Sequence, residues 1–228
     1  MPRYTVGLAK SAADLQAAQR LRYQVFAGEL GATLDSPVTG LDIDSFDAYC
    51  DHLLVRDGNE VVGTYRLLPP GRRDRLYSET EFDLAPLSGI RKHLVEVGRS
   101  CVHPDHRAGA VIGLMWAGIA QYMVEGGHSW LVGCCSVPVA DAAEVIERVP
   151  LGPEEYQVKP LKPWSEVGQE RGKAFVMPPL LRGYLRLGAW VCGAPAHDPA
   201  FGTADFLVLL SMSRVDGRYL KYFLGEPS

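Results

Sequence analysis

Apolar and polar residues alternate through "YTVGLA" at 4–9, the signature of a half-buried strand. The period then lengthens. "SAADLQAAQRLRYQVFAGELGA" opens with Ser11 and Asp14 in capping-box spacing and continues with Leu15, Ala18, Leu21, Val25 and Phe26 at helical intervals, with Gly31 as a stop. Residues 32–50 are polar and read as a long loop. "HLLVRD" and "EVVGTYRLL" follow as two strands joined at Asp57-Gly58-Asn59, a hairpin signal. A basic connection, "PPGRRDRL", and a short acidic segment lead to the strand "KHLVEVGRSCVH" at 92–103.

The turn "HPDHRAG" opens an apolar helix over 109–125. Next come a strand ("SWLVGCCSV"), a helix ("PVADAAEVIERV"), a strand near 172–176, a helix ("PPLLRGYLRLG"), the strand "ADFLVLLSMS" and the helix "DGRYLKYFL". The run "VCGAPAHDPAFGTADF" reads as a long connection without secondary structure, a kind of loop that is more often functional than idle. Neither a repeat nor a low-complexity linker interrupts the chain. The succession predicts a mixed α/β fold, a central mixed sheet with helices on both faces, in a single domain over 1–228.

Composition narrows the function. An apolar fraction of 47% is ordinary for a globular protein, and a formal charge of −4 gives no electrostatic case for nucleic acid. Five cysteines cannot all pair internally, and without a C-x-x-C spacing they read as reduced thiols. The N-terminus lacks an apolar stretch of signal-peptide length, and the window at 110–124 is short of the ~20 residues a membrane span needs. A cytoplasmic protein is expected.

Glu96 and Arg99 are the conspicuous residues, because a lone charge in an apolar strand costs several kcal/mol or more. They are either a structural ion pair (Arg66 of the neighbouring strand is another partner) or a site in which burial raises the proton affinity of Glu96 toward that of a base. Alternation would send residues three apart to opposite faces, unless a bulge at Gly98 shifts the register. Arg22 sits on the apolar stripe of the first helix, one turn from Phe26, and either snorkels to solvent or meets an acid from the loop. That loop supplies Asp42, Asp44, Asp47 and Asp51, either as a pocket for a cationic substrate or as a solvated acidic segment; its spacing is not that of a calcium loop. The glycines of "RAGAVIG" form a weak phosphate cradle or simply permit tight packing. His93, His103 and His106 lack zinc-ligand spacing, and no metal site is expected.

Five stretches together resemble a known family: "LRYQVFAGELGA", "LDIDSFDAYCDHLLV", "VVGTYRLLPP", "EVGRSCVHPDHR" and the block from "PPLLRGYLRLGAWVCG" to "YLKYFL". They cover most of the chain in order. The likeness is to the GNAT acyltransferase superfamily, in the branch of bacterial ornithine N-alpha-acyltransferases often labelled hemolysin-like, which is similar to acyl-homoserine-lactone synthases. It implies a GNAT-like fold with a twisted central sheet. The activity implied is transfer of a fatty, 3-hydroxy acyl group from an acyl-carrier-protein thioester to the α-amine of ornithine, giving lyso-ornithine lipid.

On this resemblance Glu96 and Arg99 are the catalytic pair, and Arg22, Phe26, Asp44, Asp47 and Arg66 bind the substrate. Ser100, Cys101, Val102, Arg107 and Gly109 form the expected acyl-donor set. No cofactor is expected to bind tightly, and the donor is the carrier protein's phosphopantetheine thioester or acyl-CoA. The family's pyrophosphate loop, Arg/Gln-x-x-Gly-x-Gly/Ala, is degraded here, with Ala110 and Ile112 at glycine positions, which suits a carrier-protein donor. The expected partners are acyl carrier protein and ornithine, with transient contact at the inner membrane face to which the cluster Arg72-Arg73-Asp74-Arg75 could contribute. The competing readings are an acyl-CoA-dependent N-acyltransferase for another amine, lactone synthases included, and a non-catalytic acyl-carrier binding module.

Overall fold

The computed structural model describes residues 3–166 and 175–225. In chain order the elements are β1 (Tyr4–Leu8), α1 (Ala12–Tyr23), β2 (Asp51–Asp57), β3 (Glu60–Leu68), β4 (Phe82–Asp83), β5 (Leu94–Val102) and α2 (Ala110–Glu125). They continue with β6 (Trp130–Pro138), α3 (Ala142–Arg148), β7 (Lys159–Pro160), α4 (Pro179–Arg186), β8 (Trp190–Val191), β9 (Ala196–Asp198), β10 (Thr203–Ser211) and α5 (Gly217–Leu224). Of the strand expected near 172–176, residues 172–174 lie outside the described residues, and 175 and 176 have no regular structure.

The chain's contacts gather into two compact units, each discontinuous in sequence. One comprises Met1–Arg73, Val97–His128 and Gly217–Ser228, the other Asp74–Glu96 and Ser129–Asp216. Strand β5 passes from the second to the first between Glu96 and Val97.

In the first unit, β1, β2 and β3 form an antiparallel meander, with Val6 opposite Val55 and Val55 opposite Gly63. Gly58 closes the expected hairpin turn at φ +59. The two helices cover opposite faces of these strands, because successive side chains alternate. Gly63, Leu53 and Val6 face α2 at close range: a Cβ at Gly63 would stand 2.7 Å from Val111 Cγ1, and one at Gly118 2.8 Å from Leu53 Cδ1. His52, Thr64 and Arg66 point the other way, to the side where α1 lies, and all three are buried.

Helix α1 begins as its sequence predicts, with Ser11 Oγ accepting from Asp14 N–H at 3.1 Å. Its last turn is a wider π-type turn over Gln24–Glu29, in which Leu30 N–H donates to Val25 O at 3.0 Å, and Gly31 ends it at φ +72. α5 packs against α2.

The second unit contains the parallel pairing that makes the sheet mixed: Leu94–Glu96 run beside Trp130–Val132. β10 lies antiparallel along the whole of β6 and is buried from Ala204 to Ser211. The connection expected to be irregular takes in the end of β8 and all of β9, both paired with β10. At two and three residues these strands are too short for alternation to show in sequence. Among the described residues, no helix is long and apolar enough to cross a membrane.

Candidate functional site

In the first unit the acidic loop meets three arginines from three different elements. Arg22 of α1 binds Asp42 at 2.8 Å and Asp47 at 2.7 Å. Arg66 of β3 binds Asp47 at 3.0 Å and Asp44 at 2.6 Å. Arg99 of β5 binds Asp44 at 3.4 Å and Asp42 at 3.3 Å. The six side chains thus close an alternating ring in which each charge touches two of opposite sign. Neither sequence alternative for the loop holds in full: it is not a solvated segment, and its carboxylates are already neutralised. Asp51 stays outside the ring, paired with Arg72 and accepting from Tyr122 Oη at 2.8 Å.

The ring is buried on one side and reachable on the other. Arg22 is fully enclosed, whereas the Asp44 and Arg99 side chains are 19% and 14% exposed and make its longest contact. Burial alone would raise the Asp47 carboxyl, but Arg22, Arg66 and a hydrogen bond from Gln19 hold it well below the usual carboxylate range. Asp44 is likewise lowered against its burial, by Arg66 and then Arg99. His52 Nε2–H donates to Asp47 O at 3.2 Å, and burial lowers its proton affinity with Arg22 and Arg66 adding to the effect. Phe26 lies in the π-type turn and is buried.

Arg99 has φ +51, the left-handed region that a non-glycine side chain rarely occupies. This backbone marks an irregularity in β5 one residue after Gly98, where the sequence placed a bulge. A left-handed residue breaks the two-residue alternation of the strand. Such strained positions cluster at functional sites.

Glu96, 5% exposed, belongs to the second unit. Its carboxylate closes the start of the 3-10 turn Tyr77–Thr80: Tyr77 N–H donates to Oε2, and both Ser78 N–H and Ser78 Oγ–H donate to Oε1, each at 2.7 Å. Three donors compensate the burial of this charge. Ser78 was not singled out by sequence, because a serine in a short acidic connection carries no periodic or spacing signal.

The expected donor set lies at the end of β5 and in the turn after it. Ser100 is half-buried, and Cys101 and Val102 are buried. Burial pushes the Cys101 thiol up to about 12, which rules it out as a thiolate near neutral pH. Arg107 is engaged by Glu29 through two hydrogen bonds of 2.6 and 2.7 Å and donates through Nε to Val102 O at 3.0 Å. Gly109 takes φ +100 at the N-cap of α2, with no side chain capping the helix. Arg72 pairs with Asp51, Arg73 donates to Ser45 O and lies 3.8 Å from the Phe46 ring centre, and Arg75 donates to Glu79 O, so the basic cluster is tied into internal contacts.

A family model described as an acetyltransferase (GNAT) domain matches residues 21–117. Among solved structures, FeeM, an N-acyl amino acid synthase from uncultured soil microbes, aligns with a TM-score of 0.58 at 14% identity, over 92% of each chain. The CoA-dependent acyl-homoserine lactone synthase MesI aligns at 0.60 and 16% identity, over 98% of this chain and 97% of its own. With the mixed sheet, these matches place the fold in the GNAT class.

Two sequence relatives narrow that class. The L-ornithine N(alpha)-acyltransferase of Rhizobium meliloti (strain 1021) is 37% identical over 95% of this chain and 82% of its own length. That of Brucella abortus (strain 2308) is 37% identical over 98% and 89%. The chain belongs to the L-ornithine N(alpha)-acyltransferase family.

Proposed function

We propose that this protein transfers a fatty, 3-hydroxy acyl group from the phosphopantetheine thioester of acyl carrier protein to the α-amine of ornithine, forming lyso-ornithine lipid. The observation that carries the acceptor is the identity to ornithine acyltransferases along nearly the whole chain. The ring supports it chemically. An α-amino acid presents an ammonium and a carboxylate side by side, and the Asp44–Arg99 edge offers one charge of each opposite sign.

Aminolysis requires the amine to attack as a neutral nucleophile. Its nitrogen bonds to the thioester carbon, the C–S bond breaks, the amine proton goes to a base, and the base passes that proton to the departing sulfur, which leaves as a thiol. Glu96 is the proposed base, directly or through water. Backbone N–H groups between Gly98 and Cys101 are the proposed donors to the tetrahedral oxyanion. Arg22 and Arg66 hold Asp44 and Asp47 in place, and Phe26 is the proposed apolar member of the substrate-binding set. A donor without the adenosine 3′-phosphate suits a turn whose Arg107 is already engaged by Glu29. The acyl product implies transient contact with the inner membrane face.

The test incubates purified protein with ornithine and either 3-hydroxyacyl carrier protein or the matching acyl-CoA, with products read by mass spectrometry. Acylation of the ornithine α-amine from the carrier protein is the expected result. Turnover with CoA alone would overturn the donor, and acylation of a different amine only would overturn the acceptor. Binding of acyl carrier protein without transfer to any amine would make the chain a binding module.

A further inference from the structure

A second group of ionisable side chains lies in the unit that holds Glu96. Glu81 follows the 3-10 turn whose N–H groups bind Glu96, Cys134 comes from β6, and Asp205 comes from β10. Asp205 stands opposite Ser136, two residues along β6 from Cys134, which places the thiol diagonally across the ladder. The carboxylate oxygens and the sulfur all lie within 4.8 Å of one another.

Both Glu81 oxygens are enclosed, with Asp205 and the Cys134 thiol beside them, while Asp205 accepts from Thr203 Oγ1 at 2.8 Å. Asp198 of β9, paired with Thr203, adds a third carboxylate. Among the described residues, no arginine, lysine or histidine forms an ion pair with any of the three acids.

We infer that Glu81 and Asp205 share a single proton, and that this carboxyl pair, acting through Cys134 and Ser78, positions Glu96 as the proton acceptor of the reaction. Two enclosed carboxylates this close, without a cation, cannot both ionise readily. One retained proton turns the repulsion into a hydrogen bond between Glu81 and Asp205. Burial, then Asp205 and Asp198, raises Glu81 to about 9, and burial raises Asp205 with Asp198 adding to it. The Cys134 thiol is raised too, by burial and by both acids, so it stays S–H and can donate.

Its partner is Ser78 Oγ at 3.4 Å, and Ser78 in turn donates to Glu96 Oε1 at 2.7 Å. Glu81 is a second acceptor within reach of the thiol, and a pair that holds one proton competes for it less than a doubly ionised one. A fully ionised pair would place a second negative charge beside Cys134 and draw its proton the other way. The catalytic half of the inference rests on the acyl transfer proposed above; the shared proton does not.

The test therefore includes readouts independent of turnover. Infrared spectra of the intact protein should show a carboxylic-acid C=O band at neutral pH that is lost in Glu81→Gln. Stability against urea should fall in the wild type as pH rises from 6.5, above which His52 no longer contributes, to about 9, because the folded state keeps a proton that the unfolded chain has released; Glu81→Gln should be flat across that window. If both are absent, or if purified protein carries stoichiometric zinc at these residues, the shared proton is overturned.

For the link to Glu96, Cys134→Ala should shift the titration of the Glu96 carboxyl, followed by carbon-13 NMR, whether or not the protein acylates ornithine. In an active preparation it should lower kcat about tenfold, the worth of one hydrogen bond, at unchanged KM for the amine, and Cys134→Ser should restore it. An unmoved Glu96 titration would overturn the positioning role. A band and a shifted titration without ornithine acylation would instead refute the proposed acceptor and leave the carboxyl pair standing.

Discussion

Arg99 answers to two opposed requirements. Its backbone, at φ +51, is of the kind glycine occupies without strain, whereas its side chain supplies one-third of the positive charge in the ring. The two can be separated by substitution. Arg22→Ala should destabilise by about 3–5 kcal/mol, since it takes the fully enclosed cation from between Asp42 and Asp47 and leaves each with one counter-ion in place of two. Arg99→Gly should cost less, because relief of about 1–2 kcal/mol of backbone strain offsets part of the loss. Urea denaturation of both variants checks the order, and an equal or larger loss for Arg99→Gly would contradict it. At Glu96 the experiment is kinetic: Glu96→Gln should keep its fold by circular dichroism and lose about 10²–10⁴-fold in kcat. Near-normal turnover would remove Glu96 from the chemistry.

Among the elements, the long ones follow from their periodicity and the short ones do not. α1, the β2–β3 hairpin, β6 and β10 each carry an apolar pattern long enough to declare its period. The π-type turn after α1 was not foreseen, since Val25 and Phe26 fit an unbroken helix equally well, and β8 and β9 hide in a run of Gly, Pro and Ala. Packing between elements is equally silent in sequence. Gly118 reads as a neutral residue in an apolar helix, yet a Cβ there would stand 2.8 Å from Leu53 and 3.0 Å from Val6. Gly118→Ala should therefore destabilise by about 1–3 kcal/mol despite alanine's better helix propensity, as overpacking of a filled contact does. A thermal melt that rises on this substitution would show that β1 and β2 yield freely.

At the scale of the molecule, most of the candidate site was readable as residues and little of it as geometry. Glu96, Arg99 and the acids of the loop stood out because charges in apolar surroundings need partners. Their pairing into a ring, and the capture of Glu96 by the turn at Tyr77 and Ser78, depend on contacts between segments 18 to 57 residues apart, which no local pattern encodes. The pH response of stability follows from the same contacts. His52 has a folded proton affinity below its ordinary value, so the unfolded chain binds the extra proton, and stability should decline as pH falls below 6.5. A steeper loss should begin below 3.8, where Asp44 and Asp47 are depressed in the folded state and the unfolded chain takes up protons first. Urea titrations across this range test the shape, and His52→Gln should remove the first decline while leaving the second.

The closed ring also constrains how the sequence can drift. Each of its six positions answers to two neighbours of opposite sign, so any single replacement that alters charge takes a counter-ion from two neighbours at once. Stepwise exchange through a neutral intermediate is closed off, and the only tolerable routes change several positions together. Divergence among descendants of this chain should consequently accumulate around the six while they themselves stay fixed or are exchanged as a block.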